Sequence, residues 1–239
     1  MKSRFILGLL AITLSFASCE NDSIRASGEV TAREFTLSGY RALEVGGAFD
    51  VFIRFSDTEQ SIRIEANENL QDRLVVRMDG NTLKIKPEDN LNIKGNATLR
   101  AFITTNNLMD INLSGATTLS LENEWIVNEG SLRMSGASDL SGPVMATRLE
   151  VQASGSSDVD LFGTVEEFYA NLSGSSDLKD LDLQVQRLDI DLSGSSDAFL
   201  SVNESIEIDA SGSSSLTYRG NADILRQNLS GGSELNQRN

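Results

Sequence analysis

The chain has no histidine, and that absence excludes more than any other feature. Among its 239 residues there is one cysteine, one tryptophan, two prolines and twenty basic residues against thirty-five acidic ones. Without histidine there is no Ser-His-Asp or Cys-His nucleophile and no His-ligated metal. A single thiol, Cys19, leaves no partner for an intramolecular disulfide. Pro87 and Pro143 are too few for a proline-rich linker. The longest apolar run, Phe5 to Ala17, is too short to cross a bilayer as a helix. The net charge of −15 argues against nucleic acid and anionic lipid surfaces as partners. Neither a Walker-type loop nor a dinucleotide fingerprint occurs, and the sequence asks for no cofactor and no metal. Paired acids such as Glu166 and Glu167 are the only candidates for carboxylate chemistry, and in so acidic a chain a pair carries no weight. The expectation is a protein that is not an enzyme.

What is there in abundance is one phrase. It runs Leu113-Ser114-Gly115-Ala116, then Met134-Ser135-Gly136-Ala137-Ser138-Asp139, then Ala153-Ser154-Gly155-Ser156-Ser157-Asp158. It returns at Ser173-Gly174 with Asp177, at Ser193-Gly194 with Asp197, at Ser211-Gly212, and at Ser230-Gly231. A period near twenty is the mark of a solenoid. Between phrases the apolar residues alternate with polar ones, as in Val159 and Leu161, then Phe168, Ala170 and Leu172. Period two means strands with one buried face. No coil buries that face alone, so the coils must stack in register. The predicted class is all-β: a right-handed parallel β-solenoid of about seven coils over 105–236, preceded by an antiparallel β-hairpin cap over 29–104. The right hand follows from the preference of parallel crossovers.

Within the phrase, glycine makes the corner, where positive φ carries no Cβ penalty. Ser135, Ser154, Ser173 and Ser193 beside Gly136, Gly155, Gly174 and Gly194 are the candidate corner residues. Stacked in register, Asp139, Asp158, Asp177 and Asp197 form a ladder with rungs roughly 5 Å apart. Two readings stand. The carboxylates cap backbone amides at a solvated corner, or they hold a cation. The glycine-rich calcium β-roll has a much shorter repeat, which counts against the second.

Residues 1–18 read as a signal peptide, with Lys2 and Arg4 ahead of the apolar run and Phe16-Ala17-Ser18-Cys19 as a lipobox. Cys19 is then the lipidation site, and residues 19–28 a polar tether to a membrane. Loss of Lys2 and Arg4 takes the net charge from −15 to −17. In the cap, Asp79-Gly80-Asn81 between two apolar runs predicts a hairpin, and Gly95-Asn96 a second one. Glu68 to Arg73 is the only helical stretch expected. Gly46-Gly47-Ala48-Phe49-Asp50-Val51 echoes the phrase at 135–140, which predicts a degenerate coil inside the cap. Trp125 serves as core or as a sugar platform, and Tyr169 is expected to face out.

Together, Leu43 to Val51, the Asp79-Gly80-Asn81 turn, the repeated Ser-Gly-Ser/Ala-Ser-Asp and Leu216-Thr217-Tyr218-Arg219-Gly220 resemble the putative auto-transporter adhesin, head GIN domain family of Bacteroidetes. The resemblance covers about 41–235. It implies a β-solenoid in an envelope lipoprotein, with no agreed ligand or catalytic residue; a glycan or surface protein is the ligand expected of a binding module anchored there. Glu20-Asn21-Asp22 resembles that phylum's surface-export signal, and Asp22-Ser23-Ile24 its O-glycosylation site at Ser23. A cell-envelope, outer-membrane location is implied. A self-associating scaffold, a homo-oligomer built through a face or an end of the solenoid, is the alternative, with a polysaccharide-active enzyme third.

Overall fold

A computed structural model describes residues 22–179 and 181–238. Strands dominate, and the stack is parallel. Each coil has an approach strand, a Ser-Gly corner and a departure strand, followed by a bend leading to the next coil. Trp125–Met134 lies beneath Asp139–Ala153, which lies beneath Asp158–Leu172, residue against residue. Leu183–Leu192, Asp197–Ala210 and Asp223–Leu229 continue the pile. Alternation places Val159, Leu161, Phe168, Ala170 and Leu172 inside, and the neighbouring coils repeat this until the last one, where Ile224 and Gln227 stand exposed in the positions of Phe168 and Ala170. The result is one continuous apolar column, in which Trp125 and Phe168 are fully buried.

The degenerate coil is real. Ala42–Gly47 pairs in parallel under Asp110–Gly115, and Asp50–Phe55 under Thr118–Leu121. The stack therefore begins within 29–104, ahead of the expected boundary at 105. Beneath this first coil sits the cap. Leu74–Asp79 and Thr82–Pro87 form the predicted antiparallel hairpin at Asp79-Gly80-Asn81. Ser61–Asn67 runs antiparallel between Val30–Phe35 and Leu99–Thr105. Two cap strands nevertheless run parallel to the coil above them, Thr82–Pro87 under Ala42–Gly47 and Leu99–Thr105 under Asp50–Phe55. Glu68–Arg73 is a 3₁₀ helix, as the sequence suggested.

Two expectations fail. The Gly95-Asn96 hairpin does not form. Leu91–Lys94 instead pairs in parallel with Asp22–Arg25, and Leu99–Thr105 goes to other partners. The same pairing overturns the tether over part of 19–28, because Asp22–Arg25 is a strand clipped to the cap. Ile24 and Ile93 both pack against the core there, so burial of an apolar pair outweighs the polar composition of the segment.

Candidate functional site

The recurrent corner was the first candidate, and the fold aligns it. Gly47, Gly115, Gly136, Gly155, Gly174, Gly194, Gly212 and Gly231 stand one above another, with φ between +73° and +104°. A Cβ on Gly174 would lie 2.5 Å from the carbonyl oxygen of Gly155, and its equivalents are as tight. Only glycine fits, because that oxygen accepts the N–H of the next residue up. Ser156 donates to Gly136 at 2.7 Å, Ser175 to Gly155 at 2.8 Å and Ser195 to Gly174 at 2.8 Å. Ser154, Ser173 and Ser193 donate their backbone N–H groups to the coil below in the same way, and Ser135 does so to Leu113.

The sequence reading overlooked the second serine of the pair. Thr117, Ser138, Ser157, Ser176, Ser196 and Ser214 are fully or almost fully buried, forming a hydroxyl column inside the corner. Ser157 Oγ donates to the Ser154 carbonyl at 3.0 Å and Ser196 Oγ to Ser193 at 3.1 Å, closing each turn internally. The signal was present: these serines continue the inward alternation of Leu140, Val159 and Leu178.

Asp139, Asp158 and Asp177 form the expected ladder, in register. Lys179 supplies its cation, 2.6 Å from Asp158 and 3.8 Å from Asp177. The hydrogen bond to Asp158 holds the ammonium pKa above its ordinary value, although burial opposes it. Asp177 accepts the N–H of Asp197, and Asp197 accepts the hydroxyl of Ser215. No group of three or more acidic, histidine or cysteine side chains placed to hold a metal occurs among the described residues.

The other predicted residues separate. Cys19 and the expected signal peptide over 1–18 lie outside the described residues. Ser23 is exposed, within the strand clipped to Leu91–Lys94. Trp125 is core, and its Nε1 donates to the Leu108 carbonyl at 2.7 Å. Tyr169 faces outward, as expected, with the Arg148 guanidinium 4.6 Å over its ring and bonded to its hydroxyl. Glu167 is clamped between Arg187 and Arg148, which hold its carboxyl below the usual range, and Arg187 reaches on to Glu204. That belt of alternating charge ties up Glu167, while its neighbour Glu166 is exposed.

One outer face differs. Asn112, Arg133, Gln152, Asn171, Asp191, Asp209 and Asn228 occupy equivalent positions on successive approach strands. Three shallow hollows, of about 260, 350 and 630 Å³, merge along this column through the shared Gln152, Asn171 and Asp191. They make a trough parallel to the stack axis. Asn112, Arg133 and Asn171 are exposed and make no side-chain hydrogen bond to a described residue. At the far end Arg226 binds Asp189, Glu207 and Asp209. Asp189 nonetheless has a raised pKa, because burial, with Glu207 and Asp191 nearby, outweighs Arg226. The sequence clue was simple: each trough residue sits three before a corner glycine. On another face Ile126, Met145 and Phe162 are exposed, Ile126 at 69%.

A family profile described as "Putative auto-transporter adhesin, head GIN domain" matches residues 39–222. The fold is similar to that of a putative adhesin from Bacteroides fragilis, with a TM-score of 0.81 at 20% identity, covering 90% of this chain and 98% of that one. A putative lipid binding protein from Parabacteroides distasonis gives 0.73 at 21% identity, over 91% of this chain and 100% of that one. A putative adhesin from Parabacteroides merdae gives 0.74 at 14%, over 91% and 100%. At such identities the likeness is one of fold. No curated protein matches the chain.

Proposed function

Because the chain belongs to the putative auto-transporter adhesin, head GIN domain family, we propose that it is a non-enzymatic binding module of the cell envelope. In this reading a lipid on Cys19 holds it to the outer membrane, and the trough is its contact surface. The observation that carries this is the trough itself: polar heads repeat coil after coil on a ladder-paired backbone, and those of Asn112, Arg133 and Asn171 have no side-chain partner among the described residues. Acid–base catalysis finds less support, since Glu167 is held by two arginines. The description of its solved neighbours as adhesins agrees with binding.

The test has two arms. Labelled fatty acid should enter the full chain, and Cys19→Ser should abolish labelling and release the protein. Protease added to intact cells should remove it if the trough faces outward, and cells lacking it should attach less to a surface coated with their ligand. An unlabelled protein, or unaltered attachment, would sink the reading. A second reading, self-association, rests on the last coil. Asp223–Leu229 and Glu234–Gln237 are paired on one side only, and Leu225 is 66% exposed. A monomer by light scattering at high concentration would remove it.

A further inference from the structure

We propose that the trough takes a linear, uncharged glycan lying along the stack axis, with its sugar rings passing over successive coils. This rests on the reading that the trough is the binding face. Four observations lead to it.

The first is length and repeat. From Asn112 to Asn228 the column climbs six coil steps, about 29 Å at the spacing of parallel strands. A surface with one polar head per step suits a polymer that repeats, more than it suits the irregular surface of a folded protein.

The second is the nature of the contact. The approach strands donate and accept their backbone bonds to the coils above and below. Short of its last coil, no backbone edge is left along the trough for an added peptide strand, which would need one. Recognition there is by side chains alone.

The third is the heads. The amides of Asn112 and Asn171 and the guanidinium of Arg133 are unengaged, while Gln152 bonds Glu150 at 2.6 Å. An amide donates and accepts in one plane, which matches neighbouring hydroxyls on a sugar ring. The rim adds hydroxyls from Ser135, Ser154, Ser173 and Ser193.

The fourth is charge. Asp189, Asp191, Glu207 and Asp209 crowd the C-terminal half, and Arg226, the cation there, already binds three of them. A polyanion would be repelled along that half.

The experiment is affinity electrophoresis of the full chain in gels containing a mixed-linkage β-glucan, a galactomannan or heparin, with extracellular-matrix proteins on a parallel blot. Its variants are Asn112→Ala with Asn171→Ala, and Asn128→Ala as an exposed amide outside the trough. At least one neutral glycan should retard the chain. The double variant should weaken that retardation about tenfold or more, the loss of two hydrogen bonds, and Asn128→Ala should leave it unchanged. Retardation by heparin alone, or glycan binding indifferent to the double variant, overturns the proposal. If a matrix protein binds and the double variant loses it, the glycan is wrong while the face stands. If nothing binds, both fall.

Discussion

The cap and the coils close a β-structure in two different ways. In the coils each storey copies the one beneath. The same glycine, the same buried serine and the same alternation recur, so every bond has near-identical neighbours above and below. In the cap nothing repeats. Buried Asn67 alone receives the Thr98 N–H at 2.7 Å and donates to the Ser27 carbonyl at 2.6 Å. Gln71 donates its amide to the Thr31 carbonyl at 2.8 Å. One region is stabilised by repetition, the other by single side chains with single tasks. The difference teaches where each is fragile: the coils where a shared contact is blocked, the cap where a unique partner is removed.

The sharpest way to break the comparison is to give both regions the same methyl group. Gly80 in the cap hairpin has φ +61° and nothing within 4 Å of an added Cβ, whereas Gly174 meets the Gly155 oxygen at 2.5 Å. Gly80→Ala should cost the about 1–2 kcal/mol of left-handed backbone alone. Gly174→Ala should cost more than about 3 kcal/mol, because strain and a blocked hydrogen bond add. Urea unfolding reads both, and equal costs would refute the column. Next come single polar groups. Asn67→Ala leaves a donor and an acceptor unpaired and should cost about 2–4 kcal/mol. Ser157→Ala removes one local bond from a corner that still has its ladder, and should cost about 1 kcal/mol. Weaker still is the surface belt: Arg187→Met should change stability by less than about 1 kcal/mol, since Arg187 and Glu204 are exposed and Glu167 only half-buried.

The smallest effect has opposite signs in the two regions. In the cap, Lys84 and Lys86 hold the carboxyls of Asp79 and Asp89 below their ordinary range. A lowered carboxyl stabilises the fold above the unfolded pKa, and that contribution disappears as pH falls through the folded one. In the last coils burial raises the pKa of Asp189. Its charged form opposes folding at neutral pH, and that opposition is relieved as pH falls through the raised value. Acidification from about pH 4 toward about pH 3 should therefore loosen the hairpin at 74–87 while leaving 183–210 as firm or firmer. Hydrogen exchange corrected for intrinsic rate measures it, and Asp79→Asn should remove the cap's share.

How much of this the chain discloses in advance follows the same division. The coils were legible because their cues are local: a glycine, an apolar alternation and a fixed period. The cap hairpin at Asp79-Gly80-Asn81 was legible for the same reason. Illegible were pairings decided by distant partners. Leu91–Lys94 looks like half a hairpin with Leu99–Thr105, yet it joins Asp22–Arg25 across the whole cap. The trough escaped notice because an exposed Asn or Gln within a strand looks like ordinary solvation. Only the stacking turns residues three before each glycine into a line. Arg148, Arg187 and Arg226 were likewise silent, since a salt bridge between coils leaves no trace in one coil's sequence.

The corner glycines lie 21, 19, 19, 20, 18 and 19 residues apart from Gly115 to Gly231, yet they stay aligned. Part of the slack is absorbed on the far side, where the pairing slips between Val185 and Arg187 and again between Ile206 and Glu207. Height in this molecule is accordingly counted in phrases and is indifferent to the exact number of residues. Duplicating one whole phrase would lift the roof by a single floor and lengthen the polar gutter with it, with no need to redesign the foundations. Reach is thus a quantity that such a gene can adjust in discrete increments.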